Sequence, residues 1–427
     1  MQDSKPQDVG AAPIHDPLAD RFADDAEIEI AGWGDIPIVS TFGAPQTEYA
    51  ALHRSAGLMA LPQRGFIEVT GADRYTFLNN LLTNSLVDAK SKRSLSAGHG
   101  CYAFFLNLKG RIVADLRVLA VSEETTLLEC DRRAAGMLVK AFDAYLFAEK
   151  VKMRDVSDER YALALHGPQA RDLLSDAADG PVSFEPTPGD FPATRDLPVT
   201  TLTLGGTPAV AWVEETPGLP GVGLIVPRDQ VMRVWDDLVT RFGQTADERD
   251  FGRRRLRPVG WAMFNAVRIE AGLPLMGIDF AAAPPSRPGQ KAEQVPETRG
   301  GTLPAETGPL FARAVSLSGG CYLGQEVVAR MHARSAVARR IVGIRMDEDA
   351  LPSAGAEVEV GEASDATTAG IVTSSTLSPV LSNACIALAT IKRPHFEPGT
   401  VVFVPAEGRR ARGKVVELPF LAAGPEA

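Results

Sequence analysis

Two stretches of this chain repeat one local design, and that repeat limits the folds open to it. FIEVTGADRYTFLNNLL, from Phe66 to Leu82, reads as a strand, a Gly turn and a helix that buries Phe77, Leu78, Leu81 and Leu82, with Thr70 and Asp73 suited to its first turn. About ninety residues later YALALHGPQARDLL, starting at Tyr161, repeats strand, Gly-Pro turn and helix, and recurrence at a fixed distance marks duplicated supersecondary structure. The pair predicts two related α/β subdomains.

The other elements arrange themselves around this repeat. A helix is expected from Thr47, with Tyr49, Leu52 and Ala56 on one stripe. Between the two units, GCYAFFLNLKGRIVADLRVLAV reads as a hairpin turning through Asn107-Leu108-Lys109-Gly110. WVEETPGLPGVGLIVP reads as a turn feeding a strand. Its GLPGVG is no dinucleotide fingerprint, because a proline interrupts it, the spacing is wrong and no helix follows. Residues 281–302, crowded with Pro, Gly and charge, make a long exposed loop, either functional or disordered. After Ala336 the pattern becomes short strands, RIVGIRM, AEVEV, GIVTSS, CIALATI, TVVFV and RGKVVEL, the signature of a small β-barrel or sandwich. The expected organisation is α+β: a disordered tail at 1–32, two intertwined α/β subdomains over 33–335 and a C-terminal β-barrel over 336–427.

Charge and cysteine usage exclude several functions. A formal net charge of -10 argues against nucleic-acid or membrane affinity, so any anionic ligand needs a local cluster of cations. Cys101, Cys130, Cys321 and Cys385 are scattered without a CxxC, which disfavours a disulfide scaffold or a metal site and fits reduced thiols in the cytoplasm. The N-terminus shows no apolar signal core, and no run approaches the ~18 apolar residues of a membrane span.

GGCYLGQEVVARMHAR, Gly319 to Arg334, is the most specific stretch. Cys321 lies among glycines and before a helix whose positive end would favour a thiolate; the alternative is a buried cysteine acting as a small apolar residue. Arg330, Arg334, Arg339, Arg340 and Arg345 reverse the local charge, as an anion site or as a solvated face. Asp115, in GRIVADLRV, shares a strand face with Val113, Arg117 and Leu119; it either pairs with Arg117 at the surface, the favoured reading, or lines a pocket as a proton-transfer or ring-nitrogen-binding acid. In FNAVRIEAGLP, Arg268 and Glu270 suggest a local ion pair. His53, His99 and His332 are isolated and take no role. HExxH, GxSxG and a complete GxxxxGK[ST] are absent from the sequence, since GRRARGK, Gly408 to Lys414, is followed by Val415 where a P-loop needs Ser or Thr; this removes the metalloprotease, hydrolase and P-loop readings.

Taken together, FIEVTGADRYTFLNNLLTN, LNLKGRIVADL, LALHGPQA, VRIEAGLPLMGIDF with LPAETG, GGCYLGQE and SSTLSPVLSNACIALA resemble the glycine-cleavage aminomethyltransferase superfamily from about Ala31 to Phe420. Within it, GCYLGQE resembles the signature of the YgfZ-type folate-binding proteins. The resemblance implies a three-lobed fold around an opening for tetrahydrofolate, with Asp115 at the reactive ring nitrogen and Cys321 as the signature cysteine at the pocket rim. Asp115, Tyr322, Gln325, Glu326, Arg330 and Arg268 are then the expected cofactor-binding residues, and Cys321 and Asp115 the catalytic ones. The implied role is folate-dependent assembly or repair of iron–sulfur clusters, with client or assembly proteins as partners. The alternatives are a one-carbon transferase or demethylase acting on a methylated amine and a folate-binding module without catalysis. Three aminomethyltransferase motifs are replaced, by GLMALPQRG, by ETPGLPGVG and by Phe264-Asn265, which argues against glycine-cleavage chemistry; Gly319 stands where the YgfZ signature has lysine.

Overall fold

The central strands of this chain are mostly apolar along their whole length, as in GCYAFFL, IVADLRVLA and RYALALH, and the fold buries both of their faces. The computed structural model describes residues 15–184, 197–216, 219–243, 255–295, 301–317, 319–334 and 337–421. One sheet has five strands in the order Gly100–Leu106, Ile112–Ala120, Thr125–Asp131, Arg64–Thr70 and Lys152–Asp155. The other has six: Val199–Leu204, Thr207–Thr216, Leu219–Pro227, Arg160–His166, Ala56–Ala60 and Leu256–Pro258. The two predicted strand–turn–helix units fall one in each sheet, with their helices at Arg74–Asn79 and Ala170–Ala177.

One face of each sheet is covered by helices. Ile67, Val69, Leu116, Val118 and Leu128 meet Phe77 and Leu78 and the helix Arg132–Asp143. Leu163, Leu165, Val213 and Leu224 meet Leu173 and Leu174 and the helix Val231–Phe242. The opposite faces pack on one another: Phe66, Leu119 and Leu127 of the first sheet share a core with Ala162, Trp212 and Ile225 of the second. This layer between the sheets positions the site.

The six C-terminal strands close into a barrel in the order Arg339–Met346, Ala384–Lys392, Thr367–Ser378, Glu357–Val360, Val401–Ala406 and Arg409–Val416, around Ile344, Val358, Ala387, Val402 and Val404. Each expected short strand is found. The hairpin also turns where the sequence placed it: Gly110 donates its N–H to the Asn107 carbonyl (2.8 Å) at a φ of 69°, a conformation glycine adopts without strain.

Several expectations are corrected. Residues 15–32 are no tail: the helix Pro17–Phe22 buries Leu18, and Asp16 accepts from the Ala19 N–H (2.9 Å) and the Tyr161 hydroxyl (2.6 Å). Residues 1–14 and the expected boundary at 335/336 lie outside the described residues. The helix expected from Thr47 is Pro45–Arg54, and Ala56 begins a strand instead of continuing the stripe. Val113 packs on the helix side of its sheet, next to a register shift at Phe105/Leu106. The described part of the 281–302 loop lies along the hairpin tip, where Ala283 donates to the Ile112 carbonyl (2.7 Å) and Leu108 to Ser286 Oγ (3.0 Å).

Candidate functional site

Toward one end the layer between the sheets changes from apolar to charged, and a cavity opens there with about 960 Å³ of empty space, mouth included. Strand alternation delivers the residues. Asp115 and Arg117 follow the face of Leu119; Glu129 follows Leu127; Glu214 follows Trp212; His166 follows Ala162 and Ala164. Tyr102 sits opposite Arg117 on the neighbouring strand. Gln63 and Arg64 enter where the chain turns into its strand. Trp261 and Phe264, from the helix Trp261–Glu270, and Trp33, from the N-terminal hairpin, form an aromatic wall with ring centroids 5.0 and 5.4 Å apart, and Leu310 and Arg313 complete the lining.

The charges are organised. Arg117 grips Glu214 with Nε and Nη2 (both 3.0 Å) and reaches Glu129 with Nη1 (2.8 Å). Arg64 also donates to Glu129, and Arg313 to Glu214 (3.0 Å). Burial alone would raise both carboxyls, but two guanidiniums at each overcome it and hold Glu214 well below the usual carboxylate range and Glu129 lowered too. Asp115 differs: among the described residues it forms no ion pair, and it accepts a hydrogen bond from the Tyr102 hydroxyl (3.0 Å). Burial and the Asp115 charge push that hydroxyl well above its ordinary value, so it stays a donor. Burial lowers His166 to about 4, which leaves a neutral imidazole at pH 7.

Gln63 Oε1, Arg64 Nη2, His166 Nδ1 and Trp212 Nε1, of residues in this lining, are buried without a hydrogen-bond partner among the described residues. An unmet buried polar atom costs about 1–3 kcal/mol, so four of them on residues that line one cavity mark this wall as a candidate polar site. Two donors, an acceptor and an imidazole nitrogen suit a flat heterocycle that carries both donors and acceptors on its edge.

The structure sorts the sequence candidates. Asp115 lines the cavity, and the favoured surface pair with Arg117 does not form, because Arg117 is taken by Glu129 and Glu214. Cys321 is exposed, whereas the other three cysteines are buried, but it is not at the cavity's rim: its segment runs beside the end of the helix Arg74–Asn79, where Leu323 donates to the Asn80 carbonyl (3.2 Å). Tyr322 is packed with Tyr102 and Leu310, one layer behind the lining, and its hydroxyl is pushed up to about 12 by burial. Gln325, Glu326 and Arg330 lie on the helix Gln325–Arg334, away from the cavity, and Glu326 and Arg330 pair with each other in solvent.

The arginine run does not act as one cluster. Arg339 binds Glu306 (3.0 Å), Arg340 lies over the Phe396 ring (4.8 Å), and the side chain of Arg334 lies outside the description. The cavity's cations are instead Arg64, Arg117 and Arg313. Their carboxylate partners, Glu129 and Glu214, were signalled in the sequence by a charged residue at an inward position of an otherwise apolar strand, in TTLLECD and AVAWVEET.

Arg268 is fully buried and is not among the residues that line the cavity. It donates to Asp279, to the Leu273 carbonyl (3.2 Å) and to Asn265 Oδ1 (2.9 and 2.8 Å), while Asp279 accepts from Thr373 of the barrel (2.6 Å). Glu270, expected to pair with Arg268, accepts from Tyr49 (2.7 Å) and Ser378 (2.6 Å) and bonds His53 Nε2 (3.1 Å). The two residues fasten the cavity-wall helix to the barrel. Arg268→Met is therefore expected to cost about 3 kcal/mol in urea denaturation, through the unpaired Asp279 carboxylate, and to leave the cavity lining in place. Denaturation at the wild-type midpoint would contradict this assignment.

Two facing sheets, a charged cavity between them and an appended barrel define a mixed α/β ligand-binding protein with a C-terminal β-barrel. The chain belongs to the family of the GCVT N-terminal domain, whose family model matches residues 21–284, and the glycine cleavage T-protein C-terminal barrel domain matches residues 339–421. It is 28% identical over 406 residues to the aminomethyltransferase of Staphylococcus carnosus (strain TM300), covering 94% of this chain and 96% of that protein. The crystal structure of glycine cleavage system aminomethyltransferase T from Bartonella henselae superposes with a TM-score of 0.73 at 21% identity, over 95% of this chain and 98% of that one. The expected aminomethyltransferase-like fold is thus the fold found. Among the described residues no helix is long and apolar enough to cross a membrane.

Proposed function

We propose that the chain is a folate-dependent one-carbon transferase of the aminomethyltransferase type, acting on an aminomethyl or methylated amine. One observation carries this reading: Asp115 is the cavity carboxylate held by no arginine, among unpartnered donors and acceptors. Glu129 and Glu214 are each locked by two guanidiniums, so they shape the cavity and cannot take up a proton near neutral pH. Asp115 has no guanidinium partner among the described residues and faces the cavity, where its carboxylate can meet a bound ring nitrogen.

The lining fits tetrahydrofolate, the family's cofactor. Arg64 Nη2 and Trp212 Nε1 offer N–H groups and Gln63 Oε1 offers an acceptor, the complement of an aminopyrimidinone edge. When bound, tetrahydrofolate carries the one-carbon unit on its ring nitrogens. Tyr102 fixes the orientation of Asp115, and Trp33, Trp261 and Phe264 supply flat apolar surface that keeps water from the reacting centre. The similarity to a protein named aminomethyltransferase supports this reading over its rivals. The test is formation of methylene-tetrahydrofolate by the purified protein with tetrahydrofolate and a panel of aminomethyl and N-methylated amines. No product from any donor would refute it.

A second reading rests on the exposed Cys321 and the YgfZ-like GCYLGQE around it: a cytoplasmic, folate-binding factor for iron–sulfur client proteins. The thiol lies outside the cavity, and since clusters commonly take four thiolates, a lone one would act with a partner's. Cys321→Ala should leave stability within about 0.5 kcal/mol of wild type, because the side chain is exposed, and leave folate affinity unchanged. On this second reading the variant fails to rescue a strain defective in cluster enzymes; full rescue removes the thiol's role.

A further inference from the structure

GLPGVG has an explanation that no phosphate site requires. Gly221 and Gly223 lie two apart on the strand Leu219–Pro227 and so face the same way, toward the cavity. Across one ladder Gly221 pairs with His166; across the other Gly223 pairs with Trp212. A Cβ on Gly221 would lie 2.4 Å from His166 Nδ1, and a Cβ on Gly223 2.0 Å from Trp212 Cζ2, both closer than real contacts allow. The imidazole and the indole each lean over a strand position that has no side chain. Between them sits Ala164, which is small and also faces the cavity. The result is a shallow floor, and His166 Nδ1 and Trp212 Nε1 are buried there without hydrogen-bond partners among the described residues.

We propose that this floor determines specificity: glycine at 221 and 223 lets the Trp212 and His166 rings lie low over the strand, so that their ring nitrogens can hydrogen-bond the polar edge of a planar heterocycle seated beside them. The inference rests on the folate reading and names the residues that would recognise the ring. An indole N–H only donates, so Trp212 demands an acceptor, such as the carbonyl of an aminopyrimidinone, and a heterocycle with an amino group there leaves that N–H unmet. The imidazole serves either way according to its tautomer. Sites that hydrogen-bond a ligand discriminate sharply against analogues lacking the matching group, because their own buried polar atom is stranded.

The test is calorimetric titration of the full-length protein with tetrahydrofolate and with its 4-amino-4-deoxy counterpart, in which the ring carbonyl is replaced by an amino group. Wild type is expected to prefer tetrahydrofolate by at least about tenfold. Trp212→Phe keeps a ring over Gly223 and removes only the N–H; it should lose about tenfold in tetrahydrofolate affinity, hold the two ligands within about threefold of each other, and melt as wild type does. Gly223→Ala should drive the indole upward into the cavity and reduce binding at least about a hundredfold; if it fails to fold, Trp212→Phe still decides. A Trp212→Phe protein with wild-type affinity and preference overturns the floor while leaving the folate reading intact. A wild-type protein that binds neither ligand overturns both.

Discussion

Asp115→Asn is expected to lose about 10²- to 10⁴-fold in the rate of methylene-tetrahydrofolate formation while binding tetrahydrofolate within about threefold of wild type, the span that general acid–base residues usually contribute. Asparagine keeps the size of the side chain and an oxygen to accept from the Tyr102 hydroxyl, so the local geometry survives. What it removes is a group able to take and return a proton. Because Asp115 forms no ion pair, its loss strands no buried guanidinium, and the melting temperature should scarcely move. Single-turnover rates with saturating tetrahydrofolate measure this directly. Retained turnover would show that the proton is handled elsewhere in the cavity, and lost affinity that Asp115 is a binding group alone.

The second large effect concerns stability. Glu214→Gln should cost about 3–5 kcal/mol in urea denaturation, since it leaves Arg117 and Arg313 facing a neutral amide in a buried site. The pH dependence follows. In the folded state the Glu214 carboxyl is held well below its ordinary value of 4.5, so the unfolded chain binds its proton more readily. The pair's contribution is then fully present above pH 4.5 and is lost as the pH falls below that toward the depressed folded value. Glu129, also lowered, acts in the same direction. Wild-type stability should fall as the medium is acidified below the ordinary carboxylate range, and Glu214→Gln should flatten that fall while lowering the plateau above it. An unchanged acid limb would mean that Glu214 is not the anchor of the network. The same variant should weaken tetrahydrofolate binding, because Glu214 and Trp212 project from one strand face and a loosened strand moves both.

Asp115 was conspicuous as an acid on an otherwise apolar strand, but the strand alone favoured a surface pair with Arg117, and only the facing sheet shows that it lines a cavity. Glu129 and Glu214 carry the same signal, but nothing local says that their face meets a second sheet and not solvent. The Arg330–Arg345 run left an anion site and a solvated face equally open for the same reason, and helix and strand directions send the guanidiniums of Arg330, Arg339 and Arg340 to Glu326, Glu306 and Phe396. Arg268 and Glu270 looked like an ion pair two positions apart. Residues two apart on a helix point about 200° around from one another, so each found its partner elsewhere. Gly221 and Gly223 looked like a failed nucleotide motif, and only the rings across the ladders show why those positions have no side chain.

By itself the sequence determined what is periodic and local: the duplicated strand–turn–helix units, the glycine turn at Asn107–Gly110, the six barrel strands and the presence of an acid on an otherwise apolar strand. Those follow from backbone geometry, which any short window of residues expresses. Only the tertiary structure decided that Asp115, Glu129, His166 and Glu214 share one cavity and that Cys321 stays outside it. That decision belongs to the packing of one sheet face on another, contributed by segments far apart along the chain, and no local pattern encodes which two faces will meet.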